Sequence, residues 1–140
     1  MKTYAVRLRR GTDLLRAIED FCVEHQICAG VLLSGVGCVT KARVRDAGGV
    51  NIVSVDEPME IVSLMGTVSE KRCHLHVSFS KEDLSVIGGH LVEGCIINTT
   101  CELVIVELED CVYDVEFDAE TGYDELIVKP LNGNDGEISE

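Results

Sequence analysis

Three of the chain's four histidines lie in one short stretch, His74-Leu75-His76 followed by Gly88-Gly89-His90. Side chains alternate faces along a strand, so His74 and His76 would point the same way. At about 3.3 Å of rise per residue their Cα atoms would stand roughly 6–7 Å apart. Two imidazoles so placed can converge on one divalent ion at about 2.0–2.1 Å. A single strand cannot close a site around an ion, so the third ligand has to come from another segment. His90 is the candidate, because the two glycines before it let the backbone turn sharply or approach a neighbouring strand closely. Three histidines with no obvious fourth ligand leave an open coordination position, as in zinc sites that do chemistry. Imidazole also suits copper, nickel and iron, so zinc is the expectation on availability as much as on chemistry. The competing reading is a polar network in which the rings bond to backbone carbonyls.

Other residues offer less. Glu102 heads the apolar run Leu103-Val104-Ile105-Val106 and is the one candidate for an acid/base helper or a partner to a ligand histidine; an exposed strand-end charge is the simpler reading. Ser78 and Ser80 continue the face of His76. Cys73 should face away from His74. His25 falls where a first helix would end, a favourable place for a cation. Lys81-Glu82-Asp83 reads as a solvated turn.

The elements that would carry these residues follow from periodicity. Residues 3–9 alternate, with Tyr4, Val6 and Leu8 on one face, which predicts a strand. Thr12 and Asp13 are helix-capping residues, and Leu14, Ile18, Phe21 and Cys22 follow at helical spacing, which predicts a helix over about 13–25. Residues 31–39 read as a long strand carrying Gly35 and Gly37, 41–45 alternate again, Asp46-Ala47-Gly48-Gly49 is a turn, and Ile52-Val53 is a short strand at best. Strands are expected over 61–68, 75–79, 103–108, 113–117 and 125–128, the last two joined by a turn at 118–122. One early helix and many strands predict an α+β domain with a mostly antiparallel sheet packed against that helix. Residues 1–129 form the domain, and 130–140 a polar, acidic tail expected to fray.

With 140 residues and 46% hydrophobic composition the chain is long enough for one core. No apolar run approaches the roughly 20 residues a membrane helix needs, and Arg7, Arg9 and Arg10 break up the N-terminal apolar residues, so neither signal peptide nor anchor is expected. Seven cysteines without a regular framework read as free thiols in a cytoplasmic setting, with Cys22, Cys28, Cys38, Cys95 and Cys101 as buried small hydrophobes. The formal charge is −13. Binding to a phosphate backbone draws on cationic surface, so this charge disfavours DNA, although Arg7, Arg9, Arg10, Lys41, Arg43 and Arg45 leave room for a local basic patch.

The block His74-Leu75-His76-Val77-Ser78-Phe79-Ser80 with Gly88-Gly89-His90-Leu91 resembles the signature of the plant-and-prokaryote-conserved (PPC) domain. Arg10-Gly11-Thr12-Asp13, Ser34-Gly35-Val36-Gly37, residues 60–67 and residues 100–105 match in the same order. The resemblance implies an α+β domain assembled as a homotrimer, similar in fold to acetolactate decarboxylase, a three-histidine metal lyase. It also implies a divalent metal, zinc first, on His74, His76 and His90. The family is described as DNA-binding and regulatory, in plants through AT-hook segments; no Arg-Gly-Arg-Pro occurs in this sequence. Two functions therefore stay open: a trimeric metal-binding module contacting DNA or a protein partner, and a metal-dependent lyase- or hydrolase-like enzyme acting on a small carbonyl or carboxylate substrate.

Overall fold

The computed structural model describes residues 1–131. The elements run β1 (Lys2–Arg9), α1 (Leu14–Glu24), β2 (Gly30–Arg45), β3 (Ile52–Val55), β4 (Met59–Val68), β5 (Cys73–Ser80), β6 (Val86–Leu91), β7 (Ile96–Glu107), β8 (Cys111–Asp118) and β9 (Tyr123–Pro130). The predicted helix starts one residue later than expected, because Asp13 is its cap: Arg16 N–H donates to Asp13 Oδ1 at 3.2 Å. Oδ2 of the same carboxylate accepts from Gly94 N–H at 2.7 Å and ties the helix start to the segment before β7. The buried stripe Leu14, Ile18 and Cys22 faces the core. His25 closes the helix as expected, its ring stacked on Phe21 at 3.9 Å.

Every strand pairing is antiparallel. The main sheet runs β1-β7-β2-β4-β5-β6, with β3 paired to β2, and β6 returns to pair with the far end of β2. Strands β2, β4, β5 and β6 therefore form a closed ring. Closure is possible because β2 is one strand of 16 residues. Three register shifts along its pairing with β7 mark bulges, which bend a strand and raise its twist. Sequence periodicity divided β2 once, between residues 39 and 41, at the last of these irregularities. The ring and helix enclose one core that includes Phe79, Leu32, Leu64, Leu75, Leu91 and Ile105, all at most 2% exposed. Among the described residues, strands β8 and β9 pair only with each other and form a separate two-stranded arm.

Three expectations need correction. Residues 86–91, over which no strand was expected, form one. Strand β7 begins at Ile96, well before the expected residue 103. Cys28 and Cys38 are only half-buried, whereas Cys22, Cys95 and Cys101 are buried; all seven thiols are unpaired. No helix among the described residues is long and apolar enough to cross a membrane. From residue 132 onward the expected tail lies outside the described residues.

Candidate metal centre

The β4–β5 hairpin sets the first two histidines. Ser69 is buried, its N–H donates to Arg72 O at 2.9 Å, and its Oγ accepts from Arg72 N–H at 3.1 Å. This tight turn fixes the register that sets Thr67 opposite His74 and Met65 opposite His76. Gly66 lies between them, where a Cβ would fall 1.9 Å from the His74 carbonyl oxygen; only glycine allows that approach. Leu75, Val77 and Phe79 are buried on the inner face of β5, so His74, His76 and Ser78 take the outer one.

Strand β6 delivers the third histidine. His90 is the direct antiparallel partner of His76, and directly opposed residues share a face. The paired glycines act by close approach and not by turning the chain. A Cβ on Gly88 would lie 2.5 Å from Val77 O, and one on Gly89 would lie 2.5 Å from Arg45 O. The three imidazoles form a near-equilateral triangle, with ring centroids 5.1, 5.1 and 5.6 Å apart. One nitrogen from each ring lies within 4.8 Å of the other two.

Those nitrogens fit a metal. Donors at tetrahedral angles about 2.0–2.1 Å from an ion stand roughly 3.4 Å apart, so rotations closing about an ångström would complete the site. Metal needs neutral imidazole, and the surroundings favour that form. His90 is pushed down to about 4 by burial first, then by Arg45 and the other two rings. His74 is lowered by burial, then by Arg72 and His76, with Glu125 opposing. Arg72 Nη2 lies 3.3 Å from His74 Nδ1. A guanidinium can only donate, so Nδ1 accepts here. A metal on His74 therefore requires Arg72 to release that nitrogen, whichever ring nitrogen binds.

The triad lines an open cleft of about 1230 Å³. Its walls include Ser63, Met65, Thr67 and Ser78 from β4 and β5, Arg45 from the end of β2, and Tyr123 from the arm. Ser80 pairs with Val86 and is not in this wall. Glu102 is also outside it: it lies exposed on β7, opposite Arg7 of β1 and Val36 of β2. Nothing in that position links it to the histidines. Sequence reasoning missed Met65, Thr67, Arg45 and Tyr123 as cleft residues. Hairpin register carried a signal for the first two; Arg45 and Tyr123 reach the cleft only through long-range pairing and the arm.

Comparison with known proteins agrees with this architecture. A GlmU bifunctional protein of Synechococcus sp. (strain JA-2-3B'a(2-13)) is 33% identical over 134 residues, covering 96% of this chain. The chain spans only 21% of that relative's length. A hypothetical protein of Salmonella cholerae-suis has a TM-score of 0.90 at 32% identity, with 93% of this chain and 94% of that one covered. A protein of Archaeoglobus fulgidus described as metal-containing has a TM-score of 0.75 at 33% identity, covering 91% and 94%. A proposed DNA-binding protein of Bacteroides thetaiotaomicron has a TM-score of 0.81 at 25% identity, covering 89% and 91%. The profile of the Plants and Prokaryotes Conserved (PCC) domain matches residues 1–109, which takes in β1 to β7 and all three histidines and stops short of the arm. The chain belongs to the Plants and Prokaryotes Conserved domain family.

Proposed function

We propose that this domain binds one divalent metal, zinc by preference, through His74, His76 and His90, with a fourth position open to water or a small ligand. The observation that carries this reading is the meeting of three imidazole nitrogens within 4.8 Å on two strands held in register. The depressed proton affinity of His74 and His90 supports it, as does the relative from Archaeoglobus described as metal-containing. A metal there would polarise a carbonyl or lower the proton affinity of bound water, which favours a small-molecule role over a structural one.

A homotrimer is part of the same proposal. Leu33, Val36, Val62 and Met65 are each more than half exposed on β2 and β4, and Phe117, Tyr123 and Val128 are so on the arm. That much apolar surface fits burial against further copies of the chain. Elemental analysis and native mass of protein purified without chelator test both points. The expected result is one ion per chain in a trimer, with the ion lost in His76→Ala and His90→Ala. Metal-free wild-type protein that also fails to take up added Zn²⁺ refutes the metal reading; a monomeric mass refutes the trimer.

DNA contact is the second reading, favoured by the Bacteroides neighbour's description and opposed by a charge of −13. Titration of a labelled duplex at two salt concentrations separates them. No salt-dependent binding is expected.

A further inference from the structure

We propose that the histidine cleft receives a small carboxylate, gripped by the Arg45 and Arg72 guanidiniums beside the metal's open position. This deepens the metal reading and rests on it.

The strand pairings place the arginines. Across β5, β6 and β2 the residues His76, His90 and Arg45 are successive antiparallel partners, so all three side chains rise from one face. Arg45 thus stands on the far side of His90 from His76. Arg72 flanks the other end, just ahead of β5, with its guanidinium 3.3 Å from His74 Nδ1. The triad is held between two fixed positive charges.

Among the described residues no carboxylate is ion-paired with either arginine, in a chain with 25 acidic residues against 12 Lys and Arg. Arg45 Nε goes further: among the described residues it is the one buried side-chain nitrogen or oxygen with no hydrogen-bond partner. Leaving a buried charged donor unmet is costly, so Arg45 Nε calls for an acceptor from a ligand or from solvent that follows it into the cleft. The carboxylates nearby do not fill the gap. Asp46 is engaged by the Asn51 side chain and by the amides of Val50 and Asn51. Glu125, on the arm, makes no ion pair with either arginine among the described residues.

Charge then selects the ligand. Three neutral imidazoles leave a bound divalent ion with its full charge, and two guanidiniums stand beside it. Once the ion is bound, a site so charged is completed by an anion rather than by a further cation. The paired terminal Nη–H groups of a guanidinium match the two oxygens of a carboxylate. Ser63, Thr67 and Ser78 add hydroxyls, while Met65 and Val31 add apolar wall for an organic body.

Protein loaded with Co²⁺ and titrated with acetate, followed by the visible Co²⁺ bands and by calorimetry, tests this. Acetate should shift the bands, and Arg45→Gln and Arg72→Gln should each weaken acetate by about tenfold or more. The same substitutions should leave Co²⁺ affinity unchanged or tighter, because a like charge is removed; a merely structural arginine would lower both affinities. Arg45→Lys should fall between, keeping charge and losing the fork. Acetate affinity unchanged within about twofold in both Gln variants, or a response to inorganic phosphate with none to acetate, overturns the proposal. The two readings fail separately. Co²⁺ uptake with arginine-independent acetate binding rejects the carboxylate site and leaves the metal. No Co²⁺ uptake by wild-type protein, with arginine-dependent acetate binding by calorimetry, rejects the metal and supports the carboxylate grip.

Discussion

Replacing His90 with glutamine should make the metal-free protein less sensitive to acid. In the folded chain His90 is held down to about 4 by burial, then by Arg45 and the neighbouring imidazoles, against about 6.5 in an unfolded chain. Above pH 6.5 neither state is protonated there and the group costs nothing. As pH falls below 6.5 the unfolded chain takes up a proton that the folded one refuses, so stability declines until the folded ring titrates near 4. Between pH 7.5 and 5 this amounts to about 2 kcal/mol without screening. The ring is only half-buried, and solvent reduces that to about 1 kcal/mol. A difference of that size moves a melting midpoint by about 3–5 °C in a domain of this length. The measurement is a pair of urea or thermal melts at pH 7.5 and pH 5 in chelator, for wild type and His90→Gln. Wild type should lose about 1 kcal/mol more than the variant over that interval. Parallel losses would refute the reasoning, because His90 would then carry no proton-linked penalty. Saturating Zn²⁺ should raise the wild-type midpoint at pH 7.5 and leave that of His90→Gln close to its chelator value.

Two further substitutions probe the scaffold. Gly88→Val places a side chain where Cβ alone would lie 2.5 Å from Val77 O, so β5 and β6 must part; a loss of about 1–3 kcal/mol by denaturant titration, together with loss of Zn²⁺ uptake, is expected. Asp13→Ala removes the acceptor for Arg16 N–H and for Gly94 N–H. It should cost about 1–2 kcal/mol by the same titration while Zn²⁺ stoichiometry stays unchanged, since Asp13 is not among the residues lining the cleft.

The sequence made the helix legible because Asp13 and the Leu14–Ile18–Cys22 spacing are local signals. His74 and His76 were legible as one pair because alternation on β5 is regular, with Leu75 and Val77 buried on the opposite face. The arm was legible from the turn at 118–122. Closure of the ring was not, since it depends on β6 meeting β2 at Val44–Leu91 and Arg45–His90, far apart in the chain. That same pairing hid β6, whose Gly88-Gly89 has poor strand propensity and is selected by how closely its neighbours approach. Arg45 looked like surface charge for the same reason: only the closed ring brings it beside His90.

The apolar core is what holds the site in register. Strand β6 is hydrogen-bonded on both edges, to β5 and to β2. A one-residue slip against either neighbour would turn Leu91, now 1% exposed, toward solvent and carry the His90 imidazole inward. Burial of a leucine contributes about 1.5–3 kcal/mol, so slipped states are disfavoured before any metal binds. The triad is thus assembled at the cost of folding the ring, and an ion bound as proposed would meet donors that need rotation about their side-chain bonds and not rearrangement of the backbone. On this logic the alternation that buries Leu75, Val77 and Leu91 also aims His74, His76 and His90, and the two guanidiniums then favour an anion as the site's remaining ligand.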